Sequence, residues 1–377
     1  MTYAASAPGA IPSTMRALVK RSRTPGDVAL VERPVPTPGP GQVLIRIVAA
    51  AVCGSDRSEI NGKDTGLVPR ALGHEAAGII AAVGDDVQVA PGARPWQVGD
   101  RVTVETDAVL CMACRWCRTE QYNRCPNRLG IGRTADGALA DYLVMPARAL
   151  HLLPDTVPLL SAALTEPTAV SVHAVIEQSP SLAGEVVVVI GPGAVGQLCA
   201  QVARAAGATV IMAGLARHEA RLSTALQSGI HHVVRTDVED LAAVVAEVSG
   251  GDMAHTVFEC SGQVGELERA GALLAKGGRL VLVAFYKSNP DLDIMQVVQN
   301  ELEVVGSRGK RASSFRTALR LMSSGAIDTA PVITQVLPLE DWERGIDLVG
   351  RGEKVVFAID PEVVQRDLAA DEGRAVV

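Results

Sequence analysis

The sequence predicts an α/β protein in which a doubly wound parallel sheet is joined to a second domain. Three observations lead there. A chain of 377 residues is long enough for two hydrophobic cores. Five consecutive β-branched residues, Val186–Ile190, run directly into Gly191-Pro192-Gly193-Ala194-Val195-Gly196. From there to residue 306, strand-like and helix-like segments alternate without an internal repeat, the pattern of a parallel sheet wound by crossover helices.

The run 186–190 has no polar face, as expected of a strand covered on both sides. The turn after it has G-x-G-x-x-G spacing. Leu198, Cys199, Val202 and Ala206 then recur at helical intervals before Gly207 closes the helix, and 210–212 start another strand. Strand, glycine turn, helix and strand of this length make a dinucleotide-binding unit. Gly191 makes the tight turn, Gly193 lets backbone approach a pyrophosphate, and Gly196 lets the helix pack closely. The N–H groups around Ala194 and Val195 aim at the phosphates. Without a ligand these residues are only a tight turn, but the flanking strand and helix favour the nucleotide. An NAD-type site places Asp or Glu about 20 residues past the glycines. Residues 213–217 here read Ala-Gly-Leu-Ala-Arg. Gly214 leaves room there, and Arg217, assisted by Arg221, offers a cation for a 2′-phosphate. The alternative for Arg217 is a solvated loop position. The missing carboxylate favours NADP over NAD.

Ahead of this unit the chain starts with a small-residue, Pro-containing stretch, 1–14, expected to be a mobile tail, and a strand over 15–20. Four prolines between 34 and 40 stiffen a loop before an alternating strand, 43–48. Cys53-Gly54-Ser55-Asp56 follows, and about twenty residues later comes Gly73-His74-Glu75. A thiolate, an imidazole and a carboxylate form a donor set that zinc accepts, although singly each reads as an ordinary buried residue. A strand over 100–104 leads to Cys111, Cys114, Cys117 and Cys125, four thiols within fifteen residues. That spacing fits a closed tetrahedral all-cysteine zinc site of structural type. Arg115, Arg118 and Arg124 would offset its negative charge. Short strands fill 136–153. Glu166-Pro167 precedes a helix over 170–175, where Glu166 faces a cleft or interacts with the helix dipole. Beyond the nucleotide unit, strands at 233–234, 256–258, 280–283 and 304–305 complete six. Helices are expected at 315–322 and 339–349, a last strand at 355–359, and a frayed polar tail over 361–377.

Composition sets bounds. Net charge is −7, with 35 basic and 42 acidic residues, and no basic run points to nucleic acid. No apolar segment approaches the roughly 20 residues a membrane span needs. The N-terminal residues show no secretory pattern, so a cytoplasmic protein is expected. In that compartment seven cysteines imply metal or chemistry before disulfides.

Taken together, Cys53-Gly-Ser-Asp, Gly73-His-Glu, the four-cysteine segment, Glu166-Pro167, the glycine turn and Phe258-Glu-Cys-Ser-Gly resemble the zinc-containing medium-chain dehydrogenase/reductase family, over about residues 15–360. Its polyol (sorbitol and iditol) and threonine dehydrogenases are nearest. The resemblance implies a GroES-like β domain, 15–167 with 308–360, and a Rossmann domain, 168–307. It implies that Cys53, His74 and Glu75 hold a catalytic zinc, with Glu166 ligating directly or through water. Ser55 matches a proton-relaying hydroxyl, and Arg308 an arginine that hydrogen-bonds toward the active site. Two positions depart from the pattern. Ser58 stands where a relay histidine is usual, so Ser58 with water, or the nucleotide ribose alone, carries the proton outward. Glu59 stands where polyol members often have an aromatic residue; it meets a polar substrate group or is a surface acid, the second being favoured. The implied activity is hydride transfer between a nicotinamide nucleotide and a secondary alcohol/ketone of a polyol-like or amino-alcohol molecule. Alternatives are a reductase of aldehydes or activated double bonds, and a non-catalytic zinc-stabilised binding protein. The resemblance also implies a homodimer or homotetramer, as is common among relatives, in which 304–305 would extend a sheet across a two-fold axis.

Overall fold

The structure, a computed structural model, describes residues 10–63, 66–89, 94–179 and 181–372. Most of the expected N-terminal tail, and residues 373–377, lie outside the described residues. Backbone proximity divides the chain into two units, 1–166 with 333–377, and 167–332.

The first unit is largely antiparallel β. Its central strand is Gln42–Ala51, in which Gln42 and Arg46 alone reach the surface. Glu75–Val83 pairs along one edge. The opposite edge is shared, with Tyr142–Pro146 covering residues 42–46 and Val355–Ala358 covering 49–51. Arg101–Val104, Leu150–Leu152 and Gln335–Pro338 complete a seven-stranded sheet. Leu18, Ile45, Ile47, Leu72, Ile80, Leu139 and Phe357 share its core. Leu110, Cys117 and Cys125 form a separate small cluster with Cys111, Cys114 and Tyr122 packed against it.

The second unit is a six-stranded parallel sheet. Its order is His232–Arg235, Thr209–Gly214, Val186–Ile190, Ala254–Glu259, Leu274–Leu282 and Glu303–Gly306. All five residues of Val186–Ile190 are buried, which is why that run lacks a polar alternation. Chain order reverses on either side of this strand, so its carboxyl end is the switch point where such sheets take ligands. Among the described residues, no helix is long and apolar enough to cross a membrane.

Three sequence expectations shift. The helix anticipated at 170–175 is Thr165–Val172, with a π-helical turn His173–Glu177 after it, so Glu166 lies inside the first turn. Pro167 is tolerated there because first-turn N–H groups lack intrahelical acceptors anyway. Residues 308–332 group with 167–307: Glu177 accepts from the Ser313 hydroxyl (2.6 Å), and Gln201 and Arg204 donate to the carbonyls of Asp328 and Ala326. Residues 361–372 are not frayed; Pro361–Glu372 is a helix. It buries Val363 and Val364, and Asp367 (4% exposed) accepts from the Leu159 N–H at the start of helix Leu159–Ala162. Asp367 also lies 3.6 Å from the buried Arg101 guanidinium.

Removing one partner of a buried ion pair leaves an uncompensated charge, at a cost of about 3–5 kcal/mol. Asp367→Ala is therefore expected to lower the unfolding free energy by about that much, measured by denaturant titration. Loss under about 0.5 kcal/mol would show the C-terminal helix is not anchored through this carboxylate.

Candidate functional site

Cys53, His74 and Glu75 come together. One donor atom from each lies within 4.8 Å of the others. The register of the β pairing does this: Glu75 sits opposite Ala51, and Cys53 follows two residues beyond Ala51. Cys53 caps the short helix Gly54–Ser58. That helix returns Asp56 to the same spot, where its carboxylate accepts from the Cys53 N–H (3.0 Å) and lies 3.3 Å from His74 Nδ1. An imidazole held this way through Nδ1 presents Nε2 to a metal. Burial pushes His74 toward its neutral form, but the Asp56 carboxylate outweighs it and holds the pKa well above the ordinary histidine range.

Glu75 is 2% exposed and is hydrogen-bonded by the Lys354 ammonium, which also donates to the Val52 carbonyl (3.1 Å). Burial raises the pKa of the Glu75 carboxyl; Lys354 opposes the rise and Glu166 adds to it. Lys354 is itself buried, a loss of hydration that lowers its pKa, yet the Glu75 carboxylate keeps the value raised. Glu166, 6% exposed, thus bears electrostatically on this cluster without belonging to the close three-donor group. Ser55 and Ser58 are exposed on helix Gly54–Ser58, and the Ser58 hydroxyl donates to the Gly54 carbonyl (3.1 Å). Glu59 is not the surface acid that the sequence favours. It is buried and paired with Arg70, with Arg133 at 3.5 Å. Only 2% of Arg70 is exposed, so the carboxylate is needed to keep that charge inside.

The four cysteines Cys111, Cys114, Cys117 and Cys125 form the other donor group, again within 4.8 Å. Backbone N–H groups of Cys114 and Ala113 lower the Cys111 thiol to about 6. Burial and the surrounding thiols push Cys117 up to about 12. Four thiols this close do not all ionise unless a cation sits among them, so the donor set fits zinc. Arg115 and Arg124 stack on Trp116, their guanidinium carbons 4.0 and 5.1 Å from the ring centroid, which fixes two cations on this lobe.

In the second unit the glycine turn has the form a pyrophosphate needs. Gly191 has φ +99, and a Cβ there would lie 2.8 Å from the Ser261 backbone. A Cβ on Gly196 would come within 1.9 Å of the Gly191 carbonyl oxygen, so any side chain would push the helix away. Gly193 faces no protein atom within 4 Å and caps helix Ala194–Ala205 without a side-chain hydrogen bond. The N–H groups of Ala194, Val195 and the rest of that first turn therefore stay available for phosphate oxygens. Glu259, fully buried, supports the turn by accepting from the N–H groups of Ser261 (2.8 Å) and Gly262 and from the Tyr286 hydroxyl (2.5 Å).

The adenosine corner differs from the simple sequence picture. Gly214 is buried, and a Cβ there would meet Pro192 at 2.8 Å and Leu222 at 3.3 Å. The position is closed by the glycine turn's own proline, so it leaves no room for a side chain of any kind. Arg217 is exposed and Arg221 half-buried. After burial, these two charges lower the pKa of His218, which places both arginines at one corner. Arg308 is exposed beyond the strand Glu303–Gly306. Sequence reasoning missed Lys354 and gave Asp56 no role. Asp56 carried a signal in its i+3 spacing from Cys53; Lys354 had none, being 279 positions from Glu75.

Residues 39–155 match the alcohol dehydrogenase GroES-like domain family, and 194–324 match the zinc-binding dehydrogenase family. A sorbitol dehydrogenase of Halalkalibacterium halodurans is 36% identical over 349 residues, 92% of this chain and 99% of that protein. The chain belongs to the zinc-binding alcohol dehydrogenase family. A D-arabitol-phosphate dehydrogenase of Enterococcus avium is 34% identical, covering 93% of this chain and 99% of its own. The crystal structure of a Sinorhizobium meliloti 1021 protein described as a zinc-binding dehydrogenase, bound to NADP, superposes with a TM-score of 0.83 at 27% identity. It spans 92% of this chain and 100% of that one. The expected GroES-like and Rossmann folds are both present, and membership makes the chain an NAD(P)-dependent oxidoreductase of the zinc type acting on alcohols.

Proposed function

We propose that this dehydrogenase interconverts a secondary alcohol and ketone on a polyhydroxylated or amino-substituted small molecule, with Cys53, His74 and Glu75 holding the catalytic metal. The observation that carries this is the convergence of those three donors within 4.8 Å. When bound, zinc supplies Lewis acidity that lowers the pKa of an alcohol oxygen, and a nicotinamide nucleotide supplies the hydride acceptor. The chain's own residues orient and discharge. Asp56 fixes the His74 ring, Lys354 neutralises Glu75, and Glu166 adds a carboxylate beside them. Ser55, exposed two residues after Cys53, takes the alcohol proton. Ser58 with water passes it on in place of the usual histidine. The four cysteines 111, 114, 117 and 125 hold a structural zinc whose closed donor set leaves no open position.

About two zinc ions per chain are expected by elemental analysis of the purified protein. Cys53→Ala is expected to abolish polyol oxidation and halve the zinc while leaving circular dichroism intact; Cys114→Ala is expected to lower Tm and soluble yield. A fully active Cys53→Ala protein would sink the catalytic assignment.

For the nucleotide we infer a preference for NADP over NAD, supported by the absent carboxylate at Gly214 and the two cations Arg217 and Arg221. A charge-assisted bidentate contact contributes about 1.5–3 kcal/mol, or about ten- to a hundredfold. NADP is accordingly expected to exceed NAD at least about tenfold in kcat/KM, with most of the preference lost in Arg217→Ala. Equal values for both nucleotides, unchanged in that variant, would remove the inference. Gly214→Asp is not a clean reversal, because the new side chain collides with Pro192.

The second unit also supports homodimer or homotetramer formation. Helix Ile294–Gln299 leaves Ile294, Met295 and Val298 at least 60% exposed, and among the described residues the edge strand Glu303–Gly306 pairs on one side only. Light scattering at micromolar concentration is expected to give at least twice the 39.3 kDa chain mass; the mass of one chain would refute it.

A further inference from the structure

Gly214 ends the strand Thr209–Gly214, the place from which an NAD-type site presents the carboxylate that accepts from the adenosine ribose. Its backbone does not call for glycine. It lies in a β-strand, and its φ is not among the positive values that other glycines of the chain adopt. The demand comes from contact. A Cβ at 214 would stand 2.8 Å from Cγ and 3.0 Å from Cδ of Pro192, the second residue of the glycine turn, and 3.3 Å from a Leu222 methyl. Non-bonded carbon atoms rest at about 3.5–4.0 Å, so the proline ring is the obstacle.

That ring is held in place from several directions. Pro192 is buried, and Gly191 before it donates to the Ala213 carbonyl (2.9 Å), which ties the turn to the residue next to Gly214. Gly191 also packs on the Ser261 backbone, where a Cβ would lie at 2.8 Å, and Glu259 accepts from the Ser261 N–H (2.8 Å). On the strand side, the Gly214 carbonyl accepts from the Thr236 N–H (2.8 Å), and Leu222 is fully buried. The start of the Leu222 helix, Glu219–Gln227, is fastened to the nucleotide helix, because Gln197 Nε2 donates to the Arg221 carbonyl (2.6 Å). Proline has no N–H to offer a phosphate, so the part Pro192 plays in the turn is its ring and its fixed φ.

We propose that Pro192 is a specificity-determining residue: its ring bars any side chain, and so the ribose-binding carboxylate, from position 214, and thereby selects a nucleotide that carries a 2′-phosphate. This rests on the NADP preference proposed above and adds its steric half. Arg217 draws the phosphate in. The contact of Pro192 with Gly214 keeps out a group that would repel that phosphate and would hold the free ribose hydroxyls of NAD. All the residues involved lie within the second unit, 167–332.

The test is calorimetric titration of the full-length, zinc-loaded protein with adenosine 2′,5′-bisphosphate and with 5′-AMP, which probe this corner without turnover. The wild type and Pro192→Ala are expected to bind the bisphosphate at least about tenfold more tightly. Gly214→Asp is expected to weaken both probes by about tenfold or more and to lower Tm, because the side chain displaces the turn. Combining it with Pro192→Ala is expected to restore the Tm of Pro192→Ala and to favour 5′-AMP by about tenfold. The nearest remaining atom is then the Leu222 methyl, the end of a flexible side chain. Gly214→Ala reads the collision without the charge: Tm is expected to fall in that variant alone and to recover when Pro192→Ala accompanies it. A Gly214→Asp protein that favours 5′-AMP at the wild-type Tm overturns the proposal, since the side chain then fits beside the proline. A double variant no better than Gly214→Asp in Tm and in probe preference overturns it too. Equal binding of the two probes by the wild type removes the NADP preference, whereas recovery of Tm in both double variants supports the exclusion by Pro192 in its own right.

Discussion

The first unit depends on the register at the end of one strand. Ala51 closes Gln42–Ala51, and it pairs with Glu75 on one side and Val356 on the other. Because both pairings are antiparallel, Cys53, two residues further on, comes level with Gly73, next to His74, on one side and with Lys354 on the other. The Val52 N–H donates to the Val355 carbonyl, which pins that register at the point where the strand ends. A slip of one residue would turn Glu75 and its neighbours to the opposite face of the sheet and dissolve the donor group. Ala49, Ala50 and Ala51 are fully buried, and Ala76 and Ala77 across from them nearly so. Small residues at these pairs let the backbones of three strands carry polar side chains into a crowded place.

The two units solve different electrostatic problems by different means. Around Cys53 the charges are side chains, and burial makes each of them costly unless paired. Asp56 meets His74 and Lys354 meets Glu75, so these four ionisations depend on their partners, and Glu59 forms an ion pair with Arg70. In the glycine turn the functional groups are backbone N–H donors, fixed by chain geometry and insensitive to protonation. Its demands are steric, as the 1.9 Å approach to the Gly191 carbonyl at Gly196 shows. Even Gly214 belongs to that steric scheme, because Pro192 closes over it.

Much of this was legible in the chain, for a physical reason. Val186–Ile190 with its glycine turn, the six strands of the sheet, and the C-x2-C-x2-C spacing are local patterns: period, turn chemistry and ligand spacing act over a few residues. Cys53, His74 and Glu75 were nameable from their types and from family resemblance, although the sequence holds nothing that brings residue 53 next to 74. Gly214 was readable as a missing carboxylate and misread as open space, since the proline that fills it lies in a different turn.

What the sequence by itself determined is therefore the fold class, the nucleotide turn and the four-cysteine donor set, because each is written in short-range spacing, whereas Cys53, His74 and Glu75 were named from residue type and resemblance. Tertiary structure alone decided the partners of the buried charges. Lys354 reaches Glu75 across 279 positions, Asp367 reaches Leu159 across 208, and Glu59 is turned inward by an arginine eleven residues away. Such pairings follow from the desolvation of charge inside a core, a penalty that exists only once the chain has folded around it.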